Sequence, residues 1–181
     1  MRAKARLGQL LSKIETGSAD SQEKIDATYL LVQLDGAKAF KIVRNLVEDV
    51  DGNVRYFALQ VLVMDMDIVN KEAENLCWKL LAADPDEGVR GIAAACLGKI
   101  LYSSGNANAF ARLKVLLENS DESNYVKKSI VDTMIELTGK LPPDWLGPMR
   151  QRPDFSRFEV DWNMIDNMEK SLAKTVLKPH D

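Results

Sequence analysis

Asp84 and Arg90 place a carboxylate and a guanidinium six residues apart in the stretch DPDEGVRGIAAACLGKI, 84–100. Such a pair can orient a substrate, clamp an anion or hold a turn in place. Its recurrence decides between these roles. Asp49 precedes Val54 by five and Arg55 by six, and Asp121 stands in the same relation to Val126 and Lys127. A reaction needs its acid and base once, whereas three copies at 49, 84 and 121 describe a framework. Other chemistry is sparse. His180 is the only histidine, which removes histidine metal clusters, histidine-activated nucleophiles and most general-base schemes. Asp65 and Asp67, in DMDIVNKE, lack the glycine and the bidentate glutamate of a calcium loop and read as a solvated turn. There is no phosphate-binding glycine motif. Cys77 and Cys96 sit in the apolar runs NLCWKLL and AAACLGK and read as reduced core residues, which favours a cytoplasmic protein. We therefore expect no catalytic residues, no metal and no cofactor.

Helices must position these residues. In VRYFALQVL the apolar Val54, Phe57, Ala58, Val61 and Leu62 follow the helical i, i+3, i+4, i+7, i+8 spacing. Breakers recur at TGSAD (16–20), LDG (34–36), DGN (51–53), ADPDEG (83–88), SSGN (103–106) and NSDES (119–123). They predict eight helices in four pairs, at about 3–34, 37–65, 71–101 and 106–138. Asp84 is the expected N-cap of its helix, with Pro85 in the first turn and Glu87 closing a capping box. Asp20 and Glu23 repeat the Asp-x-x-Glu spacing, and Gly105 with Asn106 supplies a stop followed by a cap.

The pairs also align with one another. Ala58, Ala93 and Ile130 coincide, as do Leu62, Leu97 and Met134; in the first helices Ala39, Val43 and Leu46 match Ala73, Cys77 and Leu80, and Ala109, Leu113 and Leu116. An Asp in the turn and a Val-Arg/Lys dipeptide opening the second helix resemble the HEAT-repeat family over roughly residues 3–138. That resemblance implies an all-α, right-handed α-solenoid of about four antiparallel helix pairs. In it Asp49, Arg55, Asp84, Arg90, Asp121 and Lys127 would form a ladder between stacked repeats. The first pair departs from the pattern: counted from Asp20 and Ile25, it has Asp26 where the base should stand.

In a stack of this kind the second helices line the concave side, where family members commonly hold partners. The residues expected there are Tyr56, Gln60, Gly91, Ala95, Lys99, Lys128, Asp132 and Glu136. Gly91, Ala94, Ala95 and Gly98 form a small-residue strip, which either leaves a trough for a partner or lets another helix approach closely. After Gly139 the segment LPPDWLGPMRQRPDFSRFEVDW carries four prolines and forbids a regular helix. This irregular tail, with a final helix near 162–176, is expected to cap the last repeat; alternatively Trp145 and Phe155 anchor a partner.

Composition limits the function. The 181 residues are 46% hydrophobic and 28% charged, with net charge −3 and no apolar run of membrane-spanning length. The basic start MRAKARLGQLLSKI reads as the exposed face of a first helix. The leading expectation is a non-enzymatic scaffold for another protein, of immunity or assembly-factor type, monomeric or weakly dimeric. A nucleic-acid binder like the HEAT-like alkylpurine DNA glycosylases is disfavoured by a face mixing Lys99 and Lys128 with Asp132 and Glu136. An accessory subunit like the HEAT-like bilin lyases is the third class.

Overall fold

The computed structural model describes residues 2–34, 36–139 and 158–176, the side chains of 36–38, 175 and 176 excepted. Every regular element among them is helical: α1 (Arg2–Glu15), α2 (Ser21–Leu34), α3 (Gly36–Leu46), α4 (Gly52–Gln60), α5 (Lys71–Ala83), α6 (Glu87–Ile100), α7 (Ala107–Leu117), α8 (Asn124–Thr138) and α9 (Trp162–Val176). The expected Trp145 and Phe155 anchors, and the tail from 140 to 157, lie outside the described residues.

The chain divides into two compact units, Met1–Leu76 and Cys77–Asp181. In the first, α1 packs on α2 and α3 on α4, while the second helices α2 and α4 lie against each other. Leu31, Val43, Leu59 and Leu62 are fully buried between them. Helix α1 ends in a Schellman motif: Gly17 takes φ +69°, Ser18 N–H donates to the Lys13 carbonyl and Gly17 N–H to that of Ile14. The stripe in α4 continues as a single π turn, Val61–Asp65, in which Met66 N–H reaches back five residues to the Val61 carbonyl. Val61, Leu62 and Val63 are all buried. A wider turn lets three consecutive side chains share one side, which the regular helix expected here would spread further apart.

In the second unit α7 pairs with α8, α6 lies along α8, and α9 packs on α7 and α8. Helix α6 has no single stripe, because Val89, Gly91, Ile92, Ala93, Ala94, Cys96, Leu97 and Gly98 are all buried. Only a helix made almost wholly of small and apolar residues tolerates cover on several sides. Helix α8 ends on Gly139 at φ +67°. The turn after α6 caps the same end, since Ser103 and Gly105 donate N–H bonds to the carbonyls of Glu136 and Leu137. On α9, Ile165 and Leu172 are buried, and Lys114 of α7 binds both Asp166 (3.0 Å) and Glu169 (2.7 Å). Those two carboxylates raise the Lys114 pKa, Glu169 most.

The caps require one correction. Helix α6 starts two residues later than the Asp84 signal suggests: Asp86 is the N-cap and accepts from Val89 N–H at 3.0 Å. Asp84 is buried, and its carboxylate instead takes the Asp86 N–H at 2.9 Å. Asp20 and Glu23 do form the reciprocal capping box, with bonds of 2.8 and 3.2 Å.

Candidate interaction site on the second helices

The structure gives all four second helices one N-terminal plan. Asp20, Asp51, Asp86 and Ser123 each accept a first-turn N–H, and the residue four positions further on is a base: Lys24, Arg55, Arg90 and Lys127. Two residues before the cap, Asp49 and Asp84 use one carboxylate oxygen to hold the N–H of Asp51 (3.0 Å) and Asp86 (2.9 Å). Arg55 Nη1 donates to the carbonyls of Asp49 (2.8 Å) and Val50 (3.0 Å), and Arg90 Nη1 to those of Asp84 (2.8 Å) and Pro85 (3.2 Å). Each arginine thus closes its own turn by satisfying carbonyls that precede the helix.

Two of these bases also reach the turn of the following pair. Lys24 bonds Asp49 at 2.7 Å, and Arg90 binds Glu122 through Nε (2.9 Å) and Nη2 (2.8 Å) in a forked arrangement. Two expectations change. The first pair has its base, Lys24; counting from Asp20 as though it matched Asp49 misses it, because Asp20 matches the cap Asp51. And Asp121 is exposed, so the acid meeting Arg90 is Glu122, which also holds the Ser123 N–H at 2.8 Å. Lys127 Nζ donates to the Ser120 carbonyl at 3.2 Å. Burial pushes Glu122 up, but Arg90 and the Ser123 N–H outweigh it and hold the acid below its usual range, while Glu122 raises Arg90. A further link joins α2 to the α4 cap: the Ser21 hydroxyl donates to Asp51 and, with Asn53 N–H, lowers its pKa.

The small-residue strip of α6 is occupied. A Cβ on Gly91 would run into the ring of Tyr125, and one on Gly98 into the Glu136 carboxylate. Between them Thr133 Oγ1 donates to the Ala94 carbonyl at 2.6 Å. These contacts resolve the trough in favour of close approach by α8, and Gly91 is therefore withdrawn from the partner-facing set. Sequence reasoning placed the small residues and missed Tyr125 and Thr133, which fill them.

The remaining candidates are half-buried. On α4, Tyr56 meets Phe57 edge-on at 5.2 Å, and Phe57 meets Tyr29 of α2 at 6.1 Å; burial, then Asp65, raises Tyr29. Gln60 stands one turn beyond Tyr56 on the same helix. On the second unit, Ala95 and Lys99 of α6 accompany Lys128, Asp132 and Glu136, which stand four apart along α8. Lys128 binds both Asp132 oxygens at 2.6 Å. Burial raises Asp132 in spite of that lysine, and burial with Asp132 one turn away raises Glu136 to about 7. The arrangement can offer mixed charge to another surface. Among the described residues no group of three or more His, Cys, Asp or Glu is placed to hold a metal ion, and no helix is long and apolar enough to cross a membrane. Comparison with protein-family models, with curated proteins and with solved structures finds no match to this chain.

Proposed function

We propose that the chain is a non-catalytic, HEAT-like scaffold, four helix pairs stacked as a right-handed α-solenoid, that binds another protein through its second helices. The observation carrying this reading is the repeated N-terminal plan of those helices, with Lys24–Asp49 in one unit and Arg90–Glu122 in the other joining successive pairs. A chain that repeats a joint is building a surface by stacking, because one pair cannot cover both of its apolar faces. Ala95, Lys99, Lys128, Asp132 and Glu136, with Tyr56 and Gln60, are then the partner-facing residues, in a cytoplasmic setting. Mixed charge on α6 and α8 suits a protein surface better than a polyanion.

The test is affinity capture from the host, using the full chain and an Ala95→Arg/Lys99→Glu variant, with Glu118→Gln, at the C-cap just past α7, as control. A partner that the control retains and the double variant loses supports the reading. Capture indifferent to the double variant, saturable binding of duplex DNA at physiological salt, or saturable binding of a bilin overturns it. Small-angle scattering incompatible with a side-by-side stack would remove the solenoid.

A further inference from the structure

The unit Met1–Leu76 carries three aromatic rings side by side on its second helices. Phe57 of α4 meets Tyr56 edge-on at 5.2 Å and Tyr29 of α2 edge-on at 6.1 Å, with interplanar angles of 80° and 66°. All three are half-buried, so part of each side chain faces water. Counted from the caps, Tyr29 follows Asp20 by nine residues as Gln60 follows Asp51, which adds Tyr29 to the partner-facing positions. The π turn after Gln60 packs on α2, and its i to i+5 step sets the exposed Asp65 about one turn beyond Gln60. The other charges of α2 and α4 are committed elsewhere: Lys24 bonds Asp49, Arg55 closes its own turn, and Glu23 and Asp26 are held by Lys13 and Arg6 of α1. The strip is thus aromatic, with one exposed carboxylate beside it. We propose that Tyr29, Tyr56 and Phe57, with Gln60 and Asp65 next to them, receive an arginine side chain of the partner protein.

This inference rests on the reading of the second helices as the partner-facing surface and names what that surface takes. An aromatic face carries the negative end of the ring quadrupole and attracts a cation, most often a guanidinium. The field of Asp65 acts in the same sense: after burial, it is the next cause that raises the Tyr29 phenol. A guanidinium is flat and weakly hydrated, with several N–H donors around its edge. It can lie on a ring and still donate to the Gln60 amide oxygen or the Asp65 carboxylate. An ammonium is a compact, strongly hydrated point charge and gives up more water for the same contact. The chain itself uses this stacking elsewhere, where Arg112 lies over the Trp78 ring, 4.2 Å from its centroid. A neutral apolar side chain would cover the rings but would bring no charge to Asp65.

The test titrates N-acetyl-arginine amide into the full chain at low salt and follows it residue by residue by NMR, with N-acetyl-citrulline amide, its neutral isostere, as the comparison. The expected result is saturable shifts at Tyr29, Tyr56, Phe57 and Asp65 with the arginine probe and none with citrulline. Asp65→Asn and Tyr56→Leu should each weaken the arginine response about 2–5-fold. No shift at the rings, an equal response to citrulline, or shifts scattered over the acidic residues at large overturns the proposal. The citrulline comparison needs no variant, so it decides the case even if Tyr56→Leu fails to fold. The probe also needs no partner, which separates this inference from the scaffold reading. Rings silent toward arginine, while affinity capture still depends on Ala95 and Lys99, remove the inference and leave the scaffold. Arginine bound at the rings, with capture indifferent to Ala95 and Lys99, keeps the strip as a guanidinium site and removes the wider surface.

Discussion

At the scale of single residues, the bases at the helix starts differ in what they hold. Arg90 closes its own turn and grips Glu122 with two nitrogens, with side chains 19% and 11% exposed. Lys24 makes one contact with Asp49. Arg90→Ala should therefore cost about 1–2 kcal/mol and Lys24→Ala about half as much, read from urea melts at low salt. Equal effects would mean that the fork adds nothing. Glu136 supplies a pH dependence of opposite sign to an ordinary paired carboxylate. Its folded-state value, about 7, lies above the ordinary 4.5 because burial and Asp132 disfavour the charge. The folded chain thus holds a proton that the unfolded chain releases, and stability falls as pH rises from about 4.5 through 7. With partial exposure taken into account the loss is about 1–2 kcal/mol. Glu136→Gln should gain most of that at pH 8 and little at pH 5, and a gain independent of pH would refute the assignment.

At the scale of elements, the glycines of α6 are exchangeable to different degrees. Alanine in place of either should gain roughly 1 kcal/mol of helix propensity. At Gly91 the new methyl meets the Tyr125 ring, which has to rotate away from the seam; Gly91→Ala should therefore lose about 1–3 kcal/mol in a thermal melt. At Gly98 the obstacle is the far end of the flexible Glu136 side chain, so Gly98→Ala should be neutral or stabilising. Similar losses at both sites would show that backbone packing, not these side chains, sets the spacing. The lengths of the helices were legible because Gly, Pro, Asp and Ser punctuate them at regular intervals. The seam was less so. A small residue announces that something comes close, but only the facing helix says what, and Tyr125 and Thr133 carry no mark of their own. Lys24 was hidden for a different reason: the first turn lacks the Asp-x-Asp step that aligns Asp49 with Asp84, so only the cap gives the register.

At the scale of the molecule, the last hairpin depends on the helix that follows it. Ile165 and Leu172 are buried where α9 packs on α7 and α8. Their burial contributes about 3–6 kcal/mol in all by the usual transfer values, and the Lys114 contacts with Asp166 and Glu169 orient the helix more than they stabilise it. Deleting 140–181 should therefore lower the melting temperature and expose apolar surface, seen as dye binding and concentration-dependent aggregation. Ile165→Ala separates the two parts of that deletion, since it weakens α9 alone and should cost about 2–5 kcal/mol. If the deletion is no worse than a fully undocked α9, residues 140–157 add nothing to stability, and Trp145 and Phe155 become the first residues to test as partner anchors. If it is markedly worse, those residues cap the repeats. A deleted chain as stable and soluble as the intact one would contradict the docking of α9 itself.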